Sequence, residues 1–306
     1  MLTPAELRAR LTGVMPFVPT PFRAQDQEVD LDGLRSNIEF LLQHGVGILG
    51  MCGFAGEFSA LTFDEHAQIV RVAVAAARGR AVVVAGVGHS TKTAIQYARQ
   101  AQDLGADCVM LLPPYVADPP AEGMYQHLRA IAKSVDIGVM LHSLPGGAIL
   151  EPETVARLAE LPNVVAYKDE LRDIRIFHDI RARVGERLVY VSANGERMLR
   201  YYFLDGMGVL ATAMGNFDPE LIQTVYDCAA AGQLPQLNQL LTERVTPWYR
   251  LRERDRGYLI AATKDTMNML GLCGGVPRWP LCPIMPRDHQ ALTELLNQLG
   301  YPLPLS

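Results

Sequence analysis

The chain has 306 residues, a formal charge of −5, 49 % hydrophobic and 20 % charged residues, the balance of a folded globular protein and not of a disordered one. With that acidic balance and no run of Lys or Arg, it lacks the basic field that attracts a phosphate backbone, so nucleic acid is not an expected partner. The longest apolar stretches, such as Ala81 to Val87 and Cys108 to Pro114, fall far short of the roughly 20 residues a membrane span needs, and Met1 to Arg10 is mixed and polar. A membrane is not expected either.

In chain order, eight short runs rich in Val, Ile and Leu have the non-alternating pattern of strands buried on both faces: 14–18, 47–52, 81–87, 107–112, 137–141, 164–167, 188–191 and 208–211. Helix signals fill the gaps between them. Asp30 precedes Leu34, Ile38, Leu41 and Leu42; Thr62 with Glu65 forms a capping box before Ile69 and Val70; Asp218-Pro219 supplies an N-cap and a first-turn proline. Eight β-then-α units in succession predict a (β/α)8 TIM barrel over residues 1–232, although a doubly wound open sheet has the same local grammar. Beyond Gln233 no strand signal appears. Helices are expected over 234–251, 258–270 and 289–299, a C-terminal helical region (233–306) packed on the barrel.

In such a barrel the chemistry sits at the C-terminal ends of the strands, so a reactive group ending a strand is the one to look for. The chain has only four lysines. Lys133 falls late in a helix, Lys264 in the C-terminal region, and both are expected at the surface; Lys92 falls in a polar loop. Lys168 differs because it ends the apolar run Val164-Val165-Ala166-Tyr167. Stripping water from an amine favours its neutral form, which attacks carbonyls. The same position also suits a strand-end lysine paired with Asp169 or Glu170.

The five cysteines (Cys52, Cys108, Cys228, Cys273, Cys282) are scattered and contain no C-x-x-C pair, which reads as reduced thiols and a cytoplasmic location. The seven histidines show no H-x-x-x-H spacing, so no metal is expected, and no cofactor.

The chain resembles the family of dihydrodipicolinate synthase and N-acetylneuraminate lyase, barrels that bind pyruvate-like 2-oxo acids on a lysine. The resemblance rests on Val14 to Phe22, on Gly53-Phe54-Ala55-Gly56-Glu57 with Leu61-Thr62 and Glu65, on Leu112-Pro113-Pro114-Tyr115, on Tyr167-Lys168-Asp169, and on the late Gly271 to Leu281 segment with Arg278. It implies that Lys168 is the Schiff-base residue, that the Gly53 to Glu57 loop holds the substrate carboxylate, that Tyr115 matches a tyrosine reaching a neighbouring subunit's site, and that the protein is a homo-oligomer, a tetramer or a dimer. A Gly-rich turn after the second strand also leaves the backbone N–H groups of Phe54 and Ala55 free to point at an anion. Further polar groups expected on the catalytic rim are Ser192 and Asn194, Thr212 and Asn216, with Val209 of the eighth strand among the substrate contacts; helix capping is an equal reading for the polar four.

Three departures limit what the resemblance implies. Phe54 and Ala55 stand where the family has two hydroxyl residues. His142, in Leu141-His142-Ser143-Leu144-Pro145, stands where it has an acid–base tyrosine, and an imidazole titrates near 6.5 where a phenol titrates near 10. Near Gly147 the arginine that holds a partner carboxylate is absent. The expectation is a Schiff-base-forming lyase, aldolase or dehydratase, acting on a sugar-acid-like 2-oxo acid without a second carboxylate, with Lys168, His142 and Tyr115 as its catalytic groups. The alternatives are a condensing enzyme of the synthase type and a barrel that binds a 2-oxo acid without turning it over.

Overall fold

The computed structural model describes residues 2–114, 119–255 and 257–303. Its eight strands are β1 (Gly13–Pro16), β2 (Ile48–Met51), β3 (Val82–Val87), β4 (Cys108–Leu111), β5 (Gly138–Ser143), β6 (Val164–Asp169), β7 (Val189–Ser192) and β8 (Val209–Thr212). They pair in parallel in the order β1-β8-β7-β6-β5-β4-β3-β2, and a parallel bridge between Phe17 and Gly50 closes β1 onto β2. The fold is the expected (β/α)8 barrel and not an open sheet.

The helices are α1 (Pro4–Arg10), α2 (Leu31–Gln43), α3 (Phe63–Ala77), α4 (Thr91–Asp103), α5 (Ala121–Ala132), α6 (Pro152–Leu158), α7 (Ile174–Val184), α8 (Leu199–Leu204) and α9 (Pro219–Ala230). They continue with α10 (Leu234–Leu240), α11 (Thr246–Arg252), α12 (Tyr258–Met269) and α13 (Pro286–Gln298). The start signals act as read. Asp30 caps α2 by accepting from Gly33 N–H, Thr62 and Glu65 close a capping box on α3, and Asp218 accepts from Leu221 N–H ahead of α9.

Strand side chains alternate between two cores. Met15, Phe17, Ile48, Val84, Met110 and Met140 belong to the lumen cluster, and Leu49, Val83, Val109, Leu141, Tyr167 and Tyr190 to the cluster under the helices. Helix α1, not foreseen from the sequence, contributes Leu7 to the lumen cluster, which Leu11 just beyond it also joins, so the N-terminal segment plugs the barrel floor. Its start carries a Thr3/Glu6 capping box with Pro4 behind it, a local signal present in the sequence.

The C-terminal helices lie against the barrel through buried polar ties. Lys264 of α12 meets Glu57 at 2.5 Å and donates to Val276 O at 2.8 Å. Arg278 grips Glu65 of α3 with two guanidinium nitrogens at 2.7 and 2.9 Å. The surface position expected for Lys264 is therefore corrected: its side chain is 1 % exposed.

Candidate active site

Register decides which groups meet. In the β5–β6 ladder Val139 pairs with Val164 but Met140 pairs with Ala166, so Val165 is an extra residue on β6. After that shift His142 lies opposite Lys168, and Ser143 opposite Asp169. Alternation then sends Lys168 into the lumen with Ala166, and Asp169 outward with Tyr167.

Lys168 is 4 % exposed, and its Nζ lies 5.1 Å from the centroid of the Phe17 ring. Gly53 permits that floor, since a Cβ there would stand 2.6 Å from the Phe17 ring. Three atoms form a triangle around the amine. Lys168 Nζ donates to Glu170 Oε2 at 2.8 Å and lies 2.7 Å from His142 Nε2, which is itself 3.1 Å from Glu170 Oε2. Burial, and then the charge of Lys168, push the His142 imidazole down to about 4 although Glu170 opposes the shift. His142 is thus neutral at pH 7, and its Nδ1 has no partner among the described residues. Desolvation would raise the Glu170 carboxyl, but the adjoining Lys168 charge and the His142 bond outweigh it and hold the group below the usual carboxylate range.

The pocket above the amine is lined by Phe17, Phe54 and Ala55 on one side, by Glu170, Arg172 and Asn194 from the loops after β6 and β7, by Ala211 and Thr212 of β8, and by Tyr249, Arg252 and Leu259 from the C-terminal region. The N–H groups of Phe54 and Ala55 have no protein acceptor among the described residues, and β2 stands across the eight-stranded barrel from β6. An anion on the β2 loop therefore faces the lysine from the far side of the mouth.

Not every residue singled out from the sequence reaches this pocket. His142 has no exposed side-chain surface and lies behind Lys168, touching the amine and Glu170 instead of the open space. Glu57 is locked to Lys264 and accepts the Arg278 N–H at 2.9 Å, away from the pocket wall. Ser192 is buried and accepts weakly from Asn194 N–H, while Val209 lies in the lumen core two residues below the lining residue Ala211. Asn194 lines the wall, but its amide is spent on Asp169 (2.6 Å) and on Arg172 N–H (2.7 Å). Thr212 donates to the buried Glu196 at 2.5 Å, and Asn216 donates to Phe17 O. Tyr115 lies outside the described residues.

Sequence reasoning named Glu170 only as an ion-pair partner of Lys168, which it is at 2.8 Å, and missed three arginines altogether. Glu170 sits two positions beyond the lysine, where strand alternation alone predicts the same face. Arg172, Arg197 and Arg252 come from three separate segments, none of them near Gly147, where the arginine of the resemblance is absent. Among the described residues no group of His, Cys, Asp and Glu could hold a metal ion.

The dihydrodipicolinate synthetase family model matches residues 10–299. The chain belongs to that family. Among curated relatives, a protein of Bradyrhizobium sp. (strain ORS 278) named "probable 5-dehydro-4-deoxyglucarate dehydratase" is 34 % identical over 97 % of this chain and 96 % of its own length. One of Azotobacter vinelandii with the same name is 32 % identical over 98 % and 99 %. Among solved structures of the family, dihydrodipicolinate synthase from Oceanobacillus iheyensis superposes with a TM-score of 0.91 at 28 % identity, over 97 % of this chain and 99 % of that one.

Proposed function

We propose that this member of the dihydrodipicolinate synthetase family is a dehydratase that holds a 2-oxo acid as an imine on Lys168 and removes a hydroxyl from C4. The observation that carries the reading is the triangle of Lys168 Nζ, His142 Nε2 and Glu170 Oε2 at the floor of a pocket whose other side offers two free backbone donors. The names of the relatives favour dehydration over carbon–carbon cleavage.

The substrate carboxylate rests on the N–H groups of Phe54 and Ala55, with C2 above Nζ. Neutral His142 and the Glu170 carboxylate hold the amine toward the pocket by hydrogen bonds, and pocket water carries its proton away. The amine adds to C2, and the carbinolamine loses its oxygen as water to leave an iminium. Among the described residues Glu170 is the one carboxylate that both lines the pocket and touches the amine, so it removes the C3 proton to give the enamine. The enamine expels the C4 hydroxyl, which leaves as water with the proton Glu170 carried. A second water hydrolyses the unsaturated iminium and frees Lys168. The net change is loss of one water from C3 and C4.

His142 acts on the lysine and Glu170 on the substrate, a division of the work that the phenol does in relatives with tyrosine. Tyr249, Arg252 and Leu259 line the same pocket as Lys168, so the 233–306 region completes the site instead of forming a separate module. The reading includes a homo-oligomer, which light scattering tests, and a reducing compartment, consistent with five unpaired cysteines.

The decisive experiment adds pyruvate or a 2-oxo-3-deoxy sugar acid with borohydride and weighs the protein. The expected result is one reduced adduct per chain on the peptide containing Lys168, together with consumption of the sugar acid. An unlabelled chain overturns the reading, and labelling without turnover of any sugar acid would reduce it to a binding barrel.

A further inference from the structure

The outer face of β6 carries a carboxylate that the reaction sequence above does not use. Asp169 is fully buried and points away from the lumen, whereas Lys168 and Glu170 on either side of it border the pocket. Every group that meets its carboxylate donates. Oδ2 accepts from the Asn194 amide at 2.6 Å and from the Tyr202 hydroxyl of α8 at 2.9 Å, and Oδ1 accepts from the Tyr167 hydroxyl at 3.3 Å. The Leu171 N–H adds a further bond. Burial pushes the Asp169 carboxyl up, and hydrogen bonds oppose that shift, with no arginine or lysine among these partners.

The same contacts strap down the turn that follows. Asn194 Nδ2 also donates to Asp169 O at 3.2 Å, and its Oδ1 accepts the Arg172 N–H at 2.7 Å, where the backbone enters the left-handed region at φ 60°. Glu170 N–H donates to Ser143 O at 3.0 Å, and Ala193 N–H donates to Asp169 O at 2.8 Å, which ties the segment to the ends of β5 and β7. Residues 169–172 are thus clamped around the Asp169 side chain, and Glu170 projects from the opposite face to reach Lys168 Nζ at 2.8 Å. Clamping the segment fixes where the Glu170 Cβ stands. Proton abstraction falls steeply with misalignment, about 10²-fold for a displacement of about 1 Å. Addition of the amine to a keto carbon makes no demand on the C3 proton.

The geometry points to Asp169 as a positioning residue for the reaction: with Asn194 and Tyr202 it sets the segment that holds Glu170 against Lys168, and so aligns the base with the C3 proton. The inference rests on the reading of Glu170 as that base. It carries the active site outward through the barrel wall to α8, a helix that contributes nothing to the pocket lining.

Pyruvate separates the two steps. Its imine is trapped by borohydride, and the base step is read by NMR as exchange of its methyl protons in heavy water. Both are measured on the intact chain, on Asp169→Asn, Tyr202→Phe and Glu170→Gln, and on the double variant of Asp169→Asn with Glu170→Gln. Tyr190→Phe removes a hydroxyl of the same outer layer that is bonded to Gly185 O instead, and reports what a packing change alone does. Asp169→Asn should slow exchange about 10- to 100-fold while half-saturation of trapping stays within about 3-fold. Tyr202→Phe should slow exchange about 3- to 10-fold, the worth of one hydrogen bond, and Tyr190→Phe should change neither readout. In the Glu170→Gln background, Asp169→Asn should slow exchange no further, as expected of a residue that acts through another. Additive losses, exchange and trapping that fall together, or an equal loss in Tyr190→Phe overturn the positioning role. If Asp169→Asn does not fold, Tyr202→Phe decides by the same two readouts, and unaltered exchange there overturns the role. Exchange that survives Glu170→Gln overturns the base reading and this inference with it, whereas an intact chain that traps no pyruvate overturns the imine reading.

Discussion

Two lysines are buried in this chain, and their surroundings differ. Lys168 and Lys264 are 4 % and 1 % exposed, and each is paired with a glutamate. Around Lys264 the amine is clasped by Glu57 at 2.5 Å, the Val276 carbonyl at 2.8 Å and the Phe22 ring 4.5 Å away, although the residue also borders a cavity with Asp265 and His289. Burial lowers that amine to about 8 despite the attraction of Glu57, so it becomes neutral more readily than an ordinary lysine while it stays clasped. Around Lys168 the partner carboxylate is 26 % exposed and lines an open pocket. A buried amine becomes a nucleophile through an accessible space beside it, by which its proton can leave and a substrate can enter; desolvation by itself only makes a clasp.

The sharpest way to break this contrast is to remove each amine. Lys168→Ala should abolish imine trapping and turnover while changing stability by no more than about 1 kcal/mol, because pocket water reaches the abandoned Glu170; residual trapping elsewhere on the chain would end the distinction. Glu170→Gln should lower sugar-acid turnover by about 10²- to 10⁴-fold, the usual share of a general base, with the imine still trapped by borohydride. Unaltered turnover would assign the C3 proton to another group. Lys264→Met should leave trapping at Lys168 intact in the folded fraction and cost about 3–5 kcal/mol in urea unfolding, since it strands the buried Glu57 charge. The double variant with Glu57→Gln should recover much of that loss, and a double variant as unstable as the sum of the singles would refute the pairing.

The smallest effect concerns pH. His142 titrates at about 4 in the folded chain against 6.5 in model peptides, so the unfolded chain binds more protons between those values. Its contribution to stability is complete above pH 6.5 and is lost as pH falls toward 4. Over that window the parent should lose up to about 3 kcal/mol more than His142→Asn, read from urea midpoints at pH 7 and pH 4.5. Parallel losses in the two proteins would mean that the imidazole is not held neutral by burial.

The sequence exposed the scaffold more readily than the chemistry, and the reason is visible in the strands. All eight announce themselves by Val, Ile and Leu because both faces are covered. The predicted ends stop short where function begins. The apolar run of the fifth strand ends at Leu141, yet β5 continues through His142 and Ser143; that of the sixth ends at Tyr167, yet β6 includes Lys168 and Asp169. Polar residues there extend the ladder and simultaneously erase its hydrophobic signature. Lys264 was misjudged because nothing local marks Glu57 as its partner, and Glu57 looked like a substrate contact for the same reason. The arginines were invisible because only the folded chain brings the β6 loop, the β7 loop and α11 together.

The additional residue on β6 has an implication for how this enzyme can change. Val165 and Ala166 both face the lumen, so excising Val165 would restore plain alternation and leave Lys168 opposite His142. Losing Tyr167 instead would swing Lys168 from the lumen to the helix layer and bring Asp169 inward. Loop grafts above the barrel leave that count untouched. New specificities are therefore open to evolution or engineering by exchanging the rim, whereas the length of one strand is a fixed point that no such exchange can cross.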